Sequence, residues 1–343
     1  MAAVTSRPRV EVRAPKQGEG TRVAALWREL WIAHEDWGGY ASSHDDRVFE
    51  RLARRLDDDA RVRADYPVLG RHIHLVATVG GEIAGQVEGW FDRHGYDPST
   101  PFTCEVRSLV VAAGMRKLGV GQALLDTLAQ LAKDLARGEK SLLVAEVLEP
   151  NPAHSFYARL GFAHIAWCTH VSSHVSYAPQ GLSARVARPA DALAIALLEG
   201  PLAQRRRAAG DARFDPPHAI DATLVGAIAA HLGRPADPLD PVEIVAVDRE
   251  GVVRATSTFG ISSLDPPFAP TRRAVLARLT IDPAMPPAHA VAPMVSLAAS
   301  FARAGGAPGM ELVDLTAPRS PLYEATLAIG ARPWSRIIQR PVE

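Results

Sequence analysis

Cysteine is nearly absent. The chain has two, Cys104 and Cys168, in 343 residues. No Cys-x-x-Cys pair or His/Cys cluster at ligand spacing accompanies them. This excludes a disulfide framework, points to no metal, and sets the expectation of a reducing, cytoplasmic compartment. Net charge is lacking as well: 38 Lys and Arg balance 38 Asp and Glu. No nucleic acid and no anionic membrane is expected as partner. No apolar run is long enough to span a bilayer, and the opening MAAVTSRPRVEVR lacks a signal-peptide core. Both standard phosphate-binding glycine signatures fail too. Gly-x-x-x-x-Gly-Lys-Ser/Thr does not occur, and Gly-x-Gly-x-x-Gly is broken because position 124 is Leu.

What is present is an ordinary globular composition, 47% hydrophobic and 22% charged, over a length that suggests two domains. One stretch stands out, Glu105 to Leu125. An apolar strand ending Leu109-Val110-Val111 leads into Arg116-Lys117-Leu118-Gly119-Val120-Gly121-Gln122. A helix follows with Val120, Leu124, Leu128, Leu131 and Leu135 near helical period. A helix start offers unpaired N–H groups and a favourable dipole for an anion. Gly119 and Gly121 allow close backbone approach, and Arg116 and Lys117 add positive charge. A second stretch follows about 40 residues on. The apolar run Ser141–Val147 precedes Asn151, then Ala153, Tyr157, Gly161 and Phe162.

Arg-x-x-Gly-x-Gly after a strand, followed by the spaced Ala, Tyr and Gly-Phe, resembles the GNAT family of N-acetyltransferases over roughly residues 8–171. The resemblance implies an acetyl-CoA cosubstrate. Leu109, Val110 and Val111 would meet its pantetheine arm, and Arg116 through Gln122 its pyrophosphate. Asn151 and Tyr157 would also lie beside the cofactor, although Asn151 stands one residue closer to the Tyr than is usual. It further implies Glu105 as general base for the amine and Tyr157 as general acid for the leaving thiolate. The alternatives for these two are an ion pair of Glu105 with Arg107, and a half-buried Tyr157 without a chemical role. By strand parity Glu105, Arg107, Leu109 and Val111 share one face.

Upstream, helices over Glu19–His34 and Asp45–Val62 flank His34-Glu35-Asp36-Trp37-Gly38-Gly39-Tyr40. In the family this region borders the acceptor. Glu35, Asp36, Trp37 and Tyr40 are therefore candidates to hold a cationic amine, against a reading as solvated helix end and packing aromatics. Gly80-Gly81 between two alternating runs predicts a hairpin.

After a Ser/Pro/Gly-rich linker over 176–183 the order of elements begins again. The expectation is α/β with a mixed sheet, in two tandem GNAT-fold domains, 1–175 and 184–343, each a sheet flanked by helices. The layout resembles tandem members such as mycothiol synthase, with the active copy first rather than second. Aligning Leu279-Thr280-Ile281 with Leu109-Val110-Val111 sets Pro286 and Pro287 against Arg116 and Lys117, and His289 and Val291 against the two glycines. Proline donates no N–H, so the second copy is expected to be degenerate. The functional expectation is acetyl transfer to a primary amine by direct attack, with no metal, in a monomer or homodimer. The alternatives are a non-catalytic acyl-CoA sensor, a longer acyl-CoA, or a protein amine.

Overall fold

The computed structural model of the chain describes residues 9–93, 100–177, 181–214, 220–234, 240–263, 268–269, 272–315 and 319–342. Its first half comprises β1 (Val10–Arg13), α1 (Gly20–Asp36), β2 (Ala41–Ser42), α2 (Asp46–Arg63), β3 (Val68–Leu69), β4 (His72–Val79), β5 (Glu82–Arg93), β6 (Phe102–Val111), α3 (Val120–Ala136), β7 (Ser141–Leu148), α4 (His154–Arg159) and β8 (Ala163–Ser172). The second half comprises β9 (Ser183–Val186), α5 (Ala192–Ala208), α6 (Ala222–Leu232), β10 (Val242–Val247), β11 (Val253–Ser263), β12 (Phe268–Ala269), β13 (Arg272–Ile281), α7 (Pro287–Ala304), β14 (Gly309–Leu315), α8 (Pro321–Ala328) and β15 (Arg332–Val342).

Among the described residues one 13-stranded sheet runs through both halves, in the order β1-β4-β5-β6-β7-β15-β8-β14-β13-β11-β10-β9, with β3 on β4. Two pairs are parallel, β6 with β7 and β13 with β14. Gly80 and Gly81 both take positive φ and close the β4–β5 hairpin, as such turns require. The leucines of α3 cover one face of the first half, packing on Cys104, Val106, Leu143 and Ala145. On the other face α1 and α2 bring Trp27, Trp31, Leu52 and Leu56 against Val76. In the second half Met294 and Val295 of α7 pack on Leu276 and Ile281 as α3 does in the first.

The join between the halves is a reciprocal exchange. Strand β15 does not finish the sheet of its own half. It lies antiparallel between β7 and β8, from Ser335↔Leu148 to Val342↔Ser141 on one side. Strand β8 crosses the other way and pairs with β14. The stretch expected as a linker is docked where it is described: Tyr177 N–H donates to Ser296 Oγ at 2.9 Å, and Leu182 is buried in the second core. Residues 178–180 fall outside the described residues.

Helix α7 starts at Pro287, since proline suits the first helical position, where its missing N–H is no loss. One expectation needs correction: Glu105, Arg107, Leu109 and Val111 do not share a face. The β5–β6 register slips between Gln86↔Val110 and Glu88↔Arg107, and Ser108 takes φ +51. This bulge turns Leu109 and Val111 toward the α3 core with Cys104 and Val106, and leaves Glu105 and Arg107 on the opposite face.

Candidate active site

Strand β6 is paired with β7 only from Phe102↔Ser141 to Val106↔Ala145. Beyond Val106 the two diverge. Strand β6 continues to Val111 on β5 alone, while β7 continues on β15. A wedge therefore opens along Arg107–Val111, lined by main chain that has no partner strand on that side.

The wedge leads to the start of α3. The connecting loop carries Lys117 at φ +68 and Gly119 at φ +86, and Arg116, Lys117, Leu118, Gly119 and Gln122 are exposed. The Arg116 side chain donates from Nε to Val111 O at 3.3 Å. The first intrahelical bond runs from Ala123 N–H to Gly119 O at 3.0 Å. The N–H groups of Val120, Gly121 and Gln122 lie ahead of it, as at any helix start. The two glycines do different things. A Cβ at Gly119 would meet nothing within 4 Å, so that turn is open to a ligand. A Cβ at Gly121 would stand 3.0 Å from Phe156 Cζ and 3.5 Å from Val111 Cγ2. Gly121 lets α3, β6 and α4 close on one another.

That contact brings in the second motif. Asn151 Oδ1 accepts from Ala153 N–H at 2.9 Å and shapes the entry to α4. Tyr157 follows Phe156, with ring centroids 5.3 Å apart, and rests edge-on to Phe162 in the α3 core. Burial pushes its hydroxyl pKa up, so the phenol keeps its proton at neutral pH. Cys104 is fully buried, and burial pushes its thiol up to about 12. This fits a packing role.

Glu105 lies on the other face of β6, where Arg107 donates to it at 2.7 Å. Burial disfavours the Arg107 charge, but the Glu105 carboxylate outweighs it and raises the pKa. The acceptor candidates are turned to different tasks. Glu35 accepts from Ser42 Oγ at 2.8 Å, Asp36 is exposed, and Trp37 sits 5.5 Å from the His34 ring. Tyr40 points inward, donating to Glu311 at 2.5 Å and packing on Trp334.

Tyr40 leads to residues that sequence reasoning missed. Arg273 of β13 bonds Glu311 of β14 and also Glu146 of β7 at 2.9 Å. Ser335 of β15 donates to Glu146 at 2.6 Å. Four inter-strand steps separate β7 from β13, about 19 Å in a flat sheet. The direct Glu146–Arg273 contact therefore requires the shared sheet to curl into a trough, with Glu105, Arg107, Glu146, Arg273 and Glu311 on its inner face. No sequence signal could have paired residues more than a hundred positions apart.

The second half repeats the geometry with different residues at its mouth. Strand β13 leaves β14 after Leu276↔Leu312, and Arg278 at φ +57 takes the place of Ser108. The α7 start begins Pro286-Pro287, and His289 N–H is bonded to Pro286 O at 3.1 Å. Arg278 is ion-paired with Glu199. Thr326, not a tyrosine, aligns with Tyr157, and its hydroxyl donates to Tyr323 O at 2.7 Å.

A splayed strand pair leading into a helix N-terminus sets unpaired main-chain groups beside an anion-attracting helix end. Residues 30–162 match the model of the Acetyltransferase (GNAT) family. A GCN5-related N-acetyltransferase from Sphaerobacter thermophilus shares the fold at a TM-score of 0.58 and 14% identity, over 97% of this chain and 96% of that one. A glucosamine N-acetyltransferase region of a fungal multi-domain GH3 beta-N-acetylglucosaminidase superposes at 0.55 and 13% identity, over 98% of this chain and 38% of that one. No curated protein sequence matches the chain. The family match is confined to that segment of the first half, and the likeness of the whole chain to these structures is one of fold. Among the described residues no helix is long and apolar enough to cross a membrane, and no group of three or more His, Cys, Asp or Glu could hold a metal ion.

Proposed function

We propose that the first half transfers an acetyl group from acetyl-CoA to a primary amine, by direct attack of the amine on the thioester. The observation that carries this reading is the parting of β6 from β7 after Val106, directly upstream of an open glycine turn and a helix start. The N–H groups of Val120, Gly121 and Gln122, with Arg116 and Lys117, would hold the pyrophosphate. Leu109, Val110 and Val111 would bond the pantetheine arm and the thioester carbonyl through main-chain groups. Glu105 would take the amine proton, directly or through water, and Tyr157 would return one to the departing thiolate. The reaction so written uses no metal.

The trough supports a cationic acceptor. Three carboxylates (Glu105, Glu146 and Glu311) face two guanidiniums (Arg107 and Arg273), leaving one negative charge in surplus. Asp36 and Trp37, close to Tyr40 in the chain, are the remaining candidates to meet an ammonium group. The second half, with prolines at its helix start and Arg278 tied to Glu199, is proposed to shape this trough rather than bind CoA.

Calorimetric titration with acetyl-CoA tests the reading. One site per chain is expected, abolished by Gly119→Glu, which puts a carboxylate where the pyrophosphate would lie. Two sites would overturn the assignment of a degenerate second half. No binding would remove the enzyme assignment altogether.

A further inference from the structure

We propose that Gln86, aimed by His74, is a positioning residue that fixes the direction of the Leu109 N–H in the wedge. The inference rests on the acetyl-CoA reading above. Three buried groups on neighbouring strands form a directed chain. The Gln86 amide donates from Nε2 to Ser108 O at 3.2 Å. Its oxygen then faces His74 Nε2 at 2.9 Å. Because the amide nitrogen is spent on Ser108, Gln86 Oε1 is the acceptor and His74 carries its proton on Nε2. Burial holds His74 below its usual range, so the ring is neutral and this tautomer persists.

Ser108 is the residue that needs such a hold. It is not glycine, yet it takes φ +51 at the point where β6 bulges and then leaves β7. A serine in the left-handed region costs energy, so the conformation persists only when its surroundings impose it. The bond from Gln86 does so on the β5 side. In a trans peptide the C=O and N–H point in opposite directions. Anchoring Ser108 O toward β5 therefore turns the N–H of the same peptide, that of Leu109, away from β5 and toward the opening left by β7. A donor on the carbonyl also polarises the peptide and strengthens its N–H as a donor. The expected result is an N–H held ready for the thioester oxygen.

The second half sharpens the point. It has the same bulge, but Thr256 stands at the register position of Gln86. There Ser257 Oγ donates to Ala277 O at 2.6 Å, a carbonyl one peptide earlier than the one aligned with Ser108 O. The carbonyl aligned with Ser108 O, that of Arg278, accepts instead from Thr280 Oγ1 of its own strand at 3.0 Å. The bulge survives in both halves, whereas among the described residues a hold on this peptide from the neighbouring strand is seen in the first half.

The test uses the full chain with acetyl-CoA carrying a ¹³C label at the thioester carbonyl, and with CoA lacking the acetyl group. In the wild type the carbonyl stretch of bound acetyl-CoA is expected below its value in water, and acetyl-CoA is expected to bind more tightly than CoA. In Gln86→Met the stretch moves back toward the value in water. The acetyl-CoA preference falls on the order of fivefold, the worth of one hydrogen bond, while CoA affinity is kept. Where Gln86→Met does not fold, His74→Leu, which frees the amide to rotate, gives the same pattern at smaller size. A wild-type stretch and preference in the folded variant overturn the proposal. If the wild type itself binds no acetyl-CoA, the acetyl-CoA reading has failed instead.

Discussion

Removing the charge of Arg273 should destabilise the whole molecule and not one half of it. Glu311 has a side chain only 1% exposed, and its partners are Arg273 and the Tyr40 hydroxyl. Burial disfavours the Arg273 charge, but Glu311 and Glu146 together outweigh it and raise its pKa well above normal. Arg273→Met keeps most of the stem volume and leaves a buried carboxylate bonded to the Tyr40 hydroxyl but without its guanidinium. Breaking a buried pair from one side costs about 3–5 kcal/mol. Because one sheet joins both halves, a single urea transition is expected, read by far-UV circular dichroism and by the fluorescence of Trp334 among the other tryptophans. With a slope of about 3 kcal/mol/M the midpoint falls by roughly 1–2 M. Adding Glu311→Leu removes the stranded charge and should recover most of the loss, since apolar replacement of a whole buried pair is often neutral or better. Glu146 tolerates the change, being partly exposed and still bonded to Ser335. A loss below about 1 kcal/mol in the single variant, or a double variant no more stable than the single, would refute the electrostatic argument.

Three further outcomes are expected. Tyr157→Phe removes only a hydroxyl from a ring packed on Phe156 and Phe162. The calorimetric affinity for acetyl-CoA should hold while kcat falls about 100-fold; full kcat would reduce Tyr157 to packing. His34 and His170 are both held by burial at a pKa of about 4, well below the 6.5 of an unfolded chain. Between those values the unfolded state binds more protons, so stability is full above about pH 6.5 and drains away as pH falls toward 4. At pH 5 the loss is about 2 kcal/mol for each histidine. Urea midpoints at pH 7 and 5 measure it, and His170→Gln should flatten the dependence by its share. Ending the chain at Gly330 deletes β15 and strips β7 and β8 of their shared neighbour. No soluble first half should be recovered, because two long apolar edges would lie open; a monomeric, folded product by gel filtration and circular dichroism would disprove it.

What could be read from the chain was what lies close together in it. The loop from Arg116 to Gln122 and the spacing of Ala153, Tyr157 and Gly161 are local patterns, and they led to the right fold. Strand β15 was not legible. Its sequence carries Pro333 and Pro341, and proline inside an apolar run argues for an edge strand. Here both prolines sit near the ends of the strand, and the interior from Trp334 to Gln339 fills the centre of the sheet. The bulge was illegible for another reason. Nothing in Arg107-Ser108-Leu109 demands a positive φ; the slip is imposed by the register against β5, and Gln86 shows its purpose only once β5 lies alongside.

The second half gives this last point its weight. It keeps the bulge, the divergence of β13 from β14 and the helix below, although its loop has lost the glycines and carries two prolines. The splay therefore does not depend on a ligand-binding loop. In each half the strand that parts from its neighbour keeps a partner on its other edge, β15 along β7 and β8 along β14, so the sheet stays continuous there while one side of the wedge opens. On the proposed reading, a few groups at the mouth distinguish the two wedges: an open Gly119 in place of His289, and Ser108 in place of an arginine tied to Glu199.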